Sequence, residues 1–173
     1  MVGNKKRLYV ALYPSGVTGN EERKYHWAFL VGPKVERENE ASGTRYHVKN
    51  DPTMGWEYQA HEIPDVRITT TLLARFLIAK IENEERLIDI IRSIPVIQND
   101  PTWRCRTWLA NVLAAIVQDG KAVGTSELNW PKIEATARHY VAQKAAAGRY
   151  QSAAELTGPR PTWDMLANKE TMS

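Results

Sequence analysis

The hydrophobic pattern changes its period about halfway along the chain, and this change constrains the fold more than any other feature of the sequence. The first half contains short runs rich in β-branched and aromatic residues, each closed by Pro, Gly, Asn or Asp, as is typical of strands. In the second half, apolar residues recur at helical spacing. The 173 residues are enough for one domain with a core. The sequence therefore predicts an α+β domain with strands first and helices second.

Five strands are predicted, over residues 7–13, 25–31, 44–49, 56–63 and 72–81. The last of these runs fits a strand or a helix by its spacing alone. We favour a strand there because the runs before it are also β-like. We expect the five to form an antiparallel sheet that packs on the C-terminal helices.

Three helices are predicted, over residues 84–94, about 102–118 and about 130–147, the last with Asn129 as its N-cap. The C-terminal segment contains two prolines and few apolar residues. We therefore predict a single domain over residues 1–157 and a loosely ordered tail over 158–173, with a short helix near 162–168.

Cys105 is the only cysteine, which excludes an internal disulfide and makes a structural zinc site improbable. It begins an apolar helical run and lies between Arg104 and Arg106. In a first helical turn, free backbone N–H groups, the helix dipole and these guanidinium groups would lower the pKa of the thiol. This arrangement favours a nucleophile, and the alternative is a small buried core residue.

A thiolate catalyst needs an imidazole that holds its proton and returns it to a leaving group. Of the four histidines, His26, His47 and His61 lie in predicted strands, whereas His139 lies on a predicted helix and is expected at the surface. The strand histidines are therefore candidates for the catalytic base and for the group that orients it. The sequence leaves open whether His47 or His61 is the third catalytic group.

The order of these residues resembles that of a known superfamily. An apolar strand begins with His26, His47 follows on the next strand, and Cys105 begins a helix three residues before Trp108. This order resembles the circularly permuted papain-like superfamily, whose NlpC/P60-like relatives include lecithin:retinol acyltransferase and the deSUMOylating isopeptidases. The resemblance covers residues 7–118 and implies a permuted papain-like (NlpC/P60-like) core.

Four sequence blocks resemble a fungal family of small proteins that we take to include the arginine-containing cyclodipeptide synthases. They are LYVALYPSG, YHWAFLVGPK, GTRYHVKN and W-x-C-x-x-W, at residues 8–16, 25–34, 43–50 and 103–108. The resemblance implies a transferase that joins arginine from arginyl-tRNA to an amino acid from a second aminoacyl-tRNA, giving a diketopiperazine. Cys105 would carry the arginyl thioester, His26 would be the general base, and His47 would orient it. Neither a cofactor nor a metal is implied.

Substrate contacts are also expected near the thiol. Trp27, Trp103 and Trp108 flank the proposed catalytic residues and would wall a substrate pocket unless they belong to the core. Recognition of an arginine side chain needs a buried carboxylate. Asp100 is the nearest to the thiol in sequence, and Glu57 and Glu62 lie on a predicted strand.

The net charge of +3 permits contact with a polyanion but does not require it. Basic residues that could contact tRNA phosphates are Lys5, Lys6, Arg7, Arg104, Arg106, Lys132, Arg138, Lys144 and Arg149. No run has the length of a membrane span or a signal sequence, so we expect a cytoplasmic protein. The alternatives are a cysteine isopeptidase or other thiol hydrolase on the same scaffold, and a non-catalytic binding domain with a buried thiol of ordinary or raised pKa.

Overall fold

The computed structural model describes residues 5–69 and 71–173 as an α+β fold with a mixed, mostly antiparallel sheet. The strands are β1 (Arg7–Pro14), β2 (Tyr25–Gly32), β3 (Gly43–Asp51), β4 (Gly55–Ile63), β5 (Ala74–Ile81), β6 (Val123–Ser126), β7 (Thr162–Asp164) and β8 (Lys169–Met172). The helices are α1 (Glu84–Ser93), α2 (Cys105–Asp119) and α3 (Trp130–Ala146). The α+β class is therefore confirmed.

The sheet has the strand order β4-β3-β2-β1-β5-β7-β8, and β6 pairs with the far half of β5. All five strands predicted in the first half are present, and β5 is a strand as favoured. One pair departs from the antiparallel expectation, because β7 runs parallel to β5. A parallel neighbour needs a long crossover, which the helical half of the chain supplies.

The sheet is buried on both faces at its centre. Along β1, Leu8, Val10 and Leu12 face the large core that α2 shares, whereas Tyr9 and Ala11 belong to a smaller cluster on the other side. Successive side chains of a strand point to opposite faces. Alternate residues of β1 therefore pack into the two clusters. Because both faces of the strand are buried, its sequence is a continuous apolar run.

The helices begin at capping residues. Asn83 and Asn129 accept hydrogen bonds from the backbone N–H groups three residues later, at the starts of α1 and α3. The second helix begins at Cys105 rather than near residue 102. Asp100 accepts hydrogen bonds from the backbone and hydroxyl of Thr102 and so closes a turn there. Cys105 is therefore in the first turn, as predicted.

The C-terminal segment differs from the prediction. The short helix predicted near residues 162–168 is wrong, and β7 and β8 occupy this part of the chain. The side chain of Asp164 accepts hydrogen bonds from the backbone of Leu166 and Ala167, which turns the chain back on itself. The tail over 158–173 is thus joined to the sheet of the domain predicted over 1–157. Within the described residues, no helix is both long and apolar enough to cross a bilayer.

Candidate functional site

A cavity of about 490 Å³ lies where β2 and β3 separate. These strands pair only from Phe29–Tyr46 to Val31–Thr44, whereas β3 stays paired with β4 along its whole length. His26 at the start of β2, His47 on the unpaired part of β3 and Cys105 at the start of α2 all line this cavity. Residues 79 positions apart in sequence, His26 and Cys105, thus share one site.

Cys105 is nearly enclosed, with 7% of its surface exposed. Burial raises the pKa of the Cys105 thiol above its usual range. The backbone N–H groups of Trp27 and Arg106 and the charge of Arg106 act in the opposite direction. The sequence-based expectation of a lowered thiol pKa is therefore wrong for this structure, because the helix start packs against β2 and desolvation outweighs the positive groups.

The two cavity histidines are directly hydrogen-bonded. His26 Nε2 lies 2.7 Å from His47 Nδ1. On the other side, Gln59 Oε1 lies 3.0 Å from His47 Nε2 and 2.9 Å from His61 Nε2. His47 is thus the histidine that hydrogen-bonds to His26, whereas His61 contacts His47 edge-on, with ring centroids 5.7 Å apart, and shares the acceptor Gln59 with it.

The sequence reasoning missed Gln59. It lies opposite His47 in the antiparallel register of β3 and β4. Cross-strand neighbours of this kind have their side chains close together. Because residues 52–54 form the turn, counting back from it along the two predicted strands would have paired the two residues.

Gln59 determines which imidazole nitrogens carry protons. An amide oxygen only accepts hydrogen bonds, so Nε2 of His47 is a donor. A neutral His47 then has a lone pair on Nδ1 and accepts from His26 Nε2. A neutral His26 in turn keeps the lone pair on its Nδ1, and this nitrogen can take a proton.

Both imidazoles are neutral near pH 7. Burial, with smaller contributions from His47, Arg45 and Lys49, lowers the pKa of His26 to about 3. Burial also lowers the pKa of His47 to about 4, against the opposing effect of its hydrogen bond to Gln59. The neutral tautomers derived above are therefore the relevant ones.

The cavity wall carries more positive than negative charge. Five basic side chains line it, and Glu22 is the only carboxylate among its described lining residues. Glu22 Oε1 accepts hydrogen bonds from Arg104 (3.2 Å) and Arg106 (2.7 Å). The basic residues are Arg23, Arg45, Lys49, Arg104 and Arg106. An anionic ligand is therefore favoured over a cationic one in most of this space.

Several predicted substrate contacts are absent from the cavity wall. Asp100 caps its own turn, and Glu57 and Glu62 do not line the cavity either. The tryptophans Trp27, Trp103 and Trp108 pack in the large core and are at most 5% exposed. None of the three lines this cavity, so they take the alternative position in the core that the sequence left open.

Most basic residues predicted to contact tRNA phosphates are already paired with carboxylates. The pairs are Lys5–Glu82, Lys6–Glu84, Arg104–Glu22, Arg106–Glu22, Lys132–Glu127, Arg138–Glu134 and Lys144–Glu170. Among residues 5–69 and 71–173, no group of three His, Cys, Asp or Glu side chains is arranged to hold a metal ion.

One family model matches the chain, over residues 5–172, and its description is a family of unknown function, DUF6914. The match covers nearly the whole chain. No curated protein and no solved structure matches the sequence significantly.

Proposed function

We propose that this chain, which belongs to the DUF6914 family, is a cysteine-dependent acyltransferase with Cys105 as its nucleophile. The observation that carries the proposal is that Cys105 and the hydrogen-bonded His26–His47 pair line one and the same cavity. A neutral imidazole with a free lone pair can remove the proton of a thiol, and the thiolate then attacks an acyl ester. The permuted papain-like core belongs to the same proposal, and the order His26, His47, Cys105 supports it.

The first half-reaction follows from these groups. His26 Nδ1 takes the proton from Cys105 Sγ, and the thiolate attacks the ester carbonyl carbon. Backbone N–H groups in the first turn of α2 stabilise the oxyanion. The carbon–oxygen bond to the leaving group then breaks, and His26 returns its proton to the departing oxygen. The products are an acyl thioester on Cys105 and a free hydroxyl.

We propose aminoacyl-tRNA as the acyl donor and an arginine-containing cyclodipeptide as the product. The sequence blocks described above support this substrate, and the basic cavity wall suits a nucleic-acid end. Cys105 accepts the arginyl group from arginyl-tRNA, and the amine of a second aminoacyl-tRNA attacks the thioester and releases the thiol. The arginyl amine then attacks the remaining ester, which closes the ring and frees the second tRNA. Both acyl groups arrive activated, so the reaction needs no ATP, metal or cofactor.

Glu22 is our candidate for the recognition of the arginyl side chain, and its side chain is 53% exposed rather than buried as the sequence-based expectation required. It replaces Asp100, because it is the only carboxylate among the described residues of the cavity wall. Arg104 and Arg106 both donate to its Oε1. Oε2 accepts no hydrogen bond from the described residues and is available to a guanidinium group.

A second function, that of a non-catalytic binding domain, is favoured by one observation. The thiol is buried and its pKa is raised, as expected for an inert core cysteine. The rate of alkylation against pH separates the two functions. A catalyst retains labelling near neutral pH that His26→Ala abolishes, whereas a core thiol is labelled slowly in both proteins.

The product assay tests the proposed reaction. Wild-type protein, Cys105→Ala and the control His139→Ala would each be incubated with tRNA, the aminoacyl-tRNA synthetases, ATP and all amino acids. His139 is exposed on α3 and does not line the cavity. We expect mass spectrometry to detect arginine-containing diketopiperazines with wild type and His139→Ala only. Ribonuclease should abolish them.

Two results would contradict the proposal in different ways. Absence of any cyclic product from wild-type protein would remove the cyclodipeptide reaction. Release of free amino acid from aminoacyl-tRNA, dependent on Cys105, would instead indicate a thiol hydrolase. Equal product from wild type and Cys105→Ala would exclude Cys105 as the nucleophile.

A further inference from the structure

Strand β3 presents two cations beside the catalytic histidine, Arg45 within its part paired with β2 and Lys49 beyond it. Arg45, His47 and Lys49 all line the cavity, and they occupy alternate positions of the strand. Alternate residues share one face, with about 3.3 Å of rise per residue. The two cations therefore lie on opposite sides of His47 along the strand. The charges of both lower the pKa values of His26 and His47, as expected of groups that face the same space.

Several buried or half-buried arginines of the fold have a carboxylate partner. Arg75 is paired with Glu36, and Arg104 and Arg106 share Glu22. By contrast, Arg45, Lys49 and the cavity-lining Arg23 form no ion pair within the described residues. A group of like charges facing one cavity without counter-ions is unfavourable until an anion neutralises it.

Arg45 is held in place without such a counter-ion. Its guanidinium carbon lies 5.4 Å from the centre of the Tyr13 ring, and its Nε is buried with no hydrogen-bond partner. An arginine held over an aromatic ring has its guanidinium group fixed, so that its N–H donors point in a defined direction. Phosphate oxygens accept such donors in pairs, with geometry that matches the guanidinium group.

We infer that Arg23, Arg45 and Lys49 form a phosphate-binding subsite in the catalytic cavity. Under the proposed function, on which this assignment of the ligand rests, the phosphate belongs to the terminal nucleotide of the tRNA acceptor end. Its position beside His47 brings the ester of that nucleotide toward His26 and Cys105. The subsite thus selects the leaving group, while Glu22 selects the acyl side chain.

Isothermal titration calorimetry with 5′-AMP and adenosine tests the subsite on the full chain. The proteins are wild type, Arg45→Gln, Lys49→Gln and the control Lys34→Gln, whose lysine is exposed outside the cavity. We expect Kd for 5′-AMP to rise about 10-fold in each of the first two variants, since each loses a charge-assisted contact. Lys34→Gln should stay within about 2-fold of wild type. Adenosine should bind much more weakly than 5′-AMP.

The outcomes separate this inference from the proposed reaction. Equal affinity for 5′-AMP and adenosine, no binding of 5′-AMP to wild type, or unchanged affinity in folded Arg45→Gln and Lys49→Gln would each overturn the subsite. If the expected binding pattern appears but no cyclic product forms, the subsite stands and the proposed reaction fails. If product forms while both variants keep the wild-type KM for aminoacyl-tRNA and the wild-type affinity for 5′-AMP, the reaction stands and the subsite fails.

Discussion

Gln59 has a role at the residue scale that its chemistry alone would not suggest, because its amide oxygen sets the tautomers of both cavity histidines. His47 then accepts a hydrogen bond from His26, and His26 keeps a basic nitrogen. Gln59 is thus a positioning residue in the proposed reaction. It supports the base without any contact to the substrate.

Two substitutions of Gln59 distinguish its role as a hydrogen-bond acceptor from its role in packing. Gln59→Leu removes the acceptor, and we expect thioester formation to slow about 10- to 100-fold, as for other outer partners of functional histidines. Gln59→Glu keeps an acceptor and should restore most of the rate. Single-turnover transfer from labelled arginyl-tRNA measures both. Equal losses in the two variants would indicate that the residue matters only for packing.

The hydrogen bonds among the histidines predict that His47→Ala and His61→Ala slow thioester formation to different extents. His47→Ala removes the direct partner of His26, whereas His61→Ala removes a second donor to Gln59 and a ring contact with His47 but leaves the His26–His47 hydrogen bond in place. We expect the same single-turnover assay to show a loss of at least about 10-fold for the first and less than about 3-fold for the second. A larger loss in His61→Ala would overturn this assignment.

The buried imidazoles should also make stability depend on pH. Burial lowers the pKa of His26 from 6.5 to about 3, so the unfolded chain binds more protons than the folded chain between these values. The free energy of unfolding therefore falls as pH falls, by about 1 kcal/mol per pH unit for each imidazole between about pH 6 and pH 5. Urea unfolding across this range measures the slope. His26→Gln should reduce this slope.

At the scale of the elements, the start of β3 is packed without spare room. A Cβ on Gly43 would lie 2.0 Å from the backbone oxygen of Val31 and 2.7 Å from a methyl group of Val66. The adjacent strand cannot move away without breaking its pairing. The position of β3, and with it His47, therefore depends on this glycine.

Gly43→Ala should lower the free energy of unfolding by about 3 kcal/mol, because the clash is with backbone. Gly124→Ala in β6 is the matched control. Its Cβ would meet only the end of the Glu82 side chain, which can swing away, so we expect a change below about 1 kcal/mol. Denaturant unfolding measures both. Similar losses in the two variants would contradict the close approach of β2 and β3.

The same elements explain how far the sequence could predict the fold. The five long strands and three helices were predictable because each buries a repeating face. β6 and β7, of four and three residues, carry no such repeat and pair with β5 only through tertiary contacts. For the site, residue type and chain order were enough to indicate Cys105, His26 and His47. The raised thiol pKa and Glu22 depend on how loops and helices pack, which no local pattern contains.

At the scale of the whole molecule, the C-terminal segment completes the sheet rather than trailing from it. Arg160 is buried and donates to the backbone oxygen of Leu72, and Thr162 accepts from Arg75. β7 covers one edge of β5. Its removal would expose that edge and leave Arg75 without one of its partners.

A chain ending at residue 157 should therefore aggregate or lose several kcal/mol of stability. A chain ending at residue 168 is the control, because it loses the mostly exposed β8 with its pairing to β7, the hydrogen bond from Tyr140 to Glu170 and the Lys144–Glu170 ion pair, but keeps β7 on β5. We expect it to stay monodisperse and lose about 1–2 kcal/mol. Size-exclusion chromatography and thermal unfolding distinguish the two. A stable, monodisperse chain of 157 residues would show that the segment is dispensable.

The double acceptance at Gln59 has a consequence for proton conduction. A hydrogen-bonded chain of side chains connects the cavity to solvent, and it runs from His26 through His47 and Gln59 to the exposed His61. An amide oxygen that accepts hydrogen bonds from both sides has no proton to donate, so proton transfer along this chain stops at Gln59. In the proposed reaction, a proton taken from Cys105 then stays on the imidazole pair and is not transferred to solvent along this chain. In the proposed reaction the imidazole pair is therefore neutral at the beginning and at the end of each half-step, because the proton taken from the thiol, or later from the attacking amine, passes to the group that leaves.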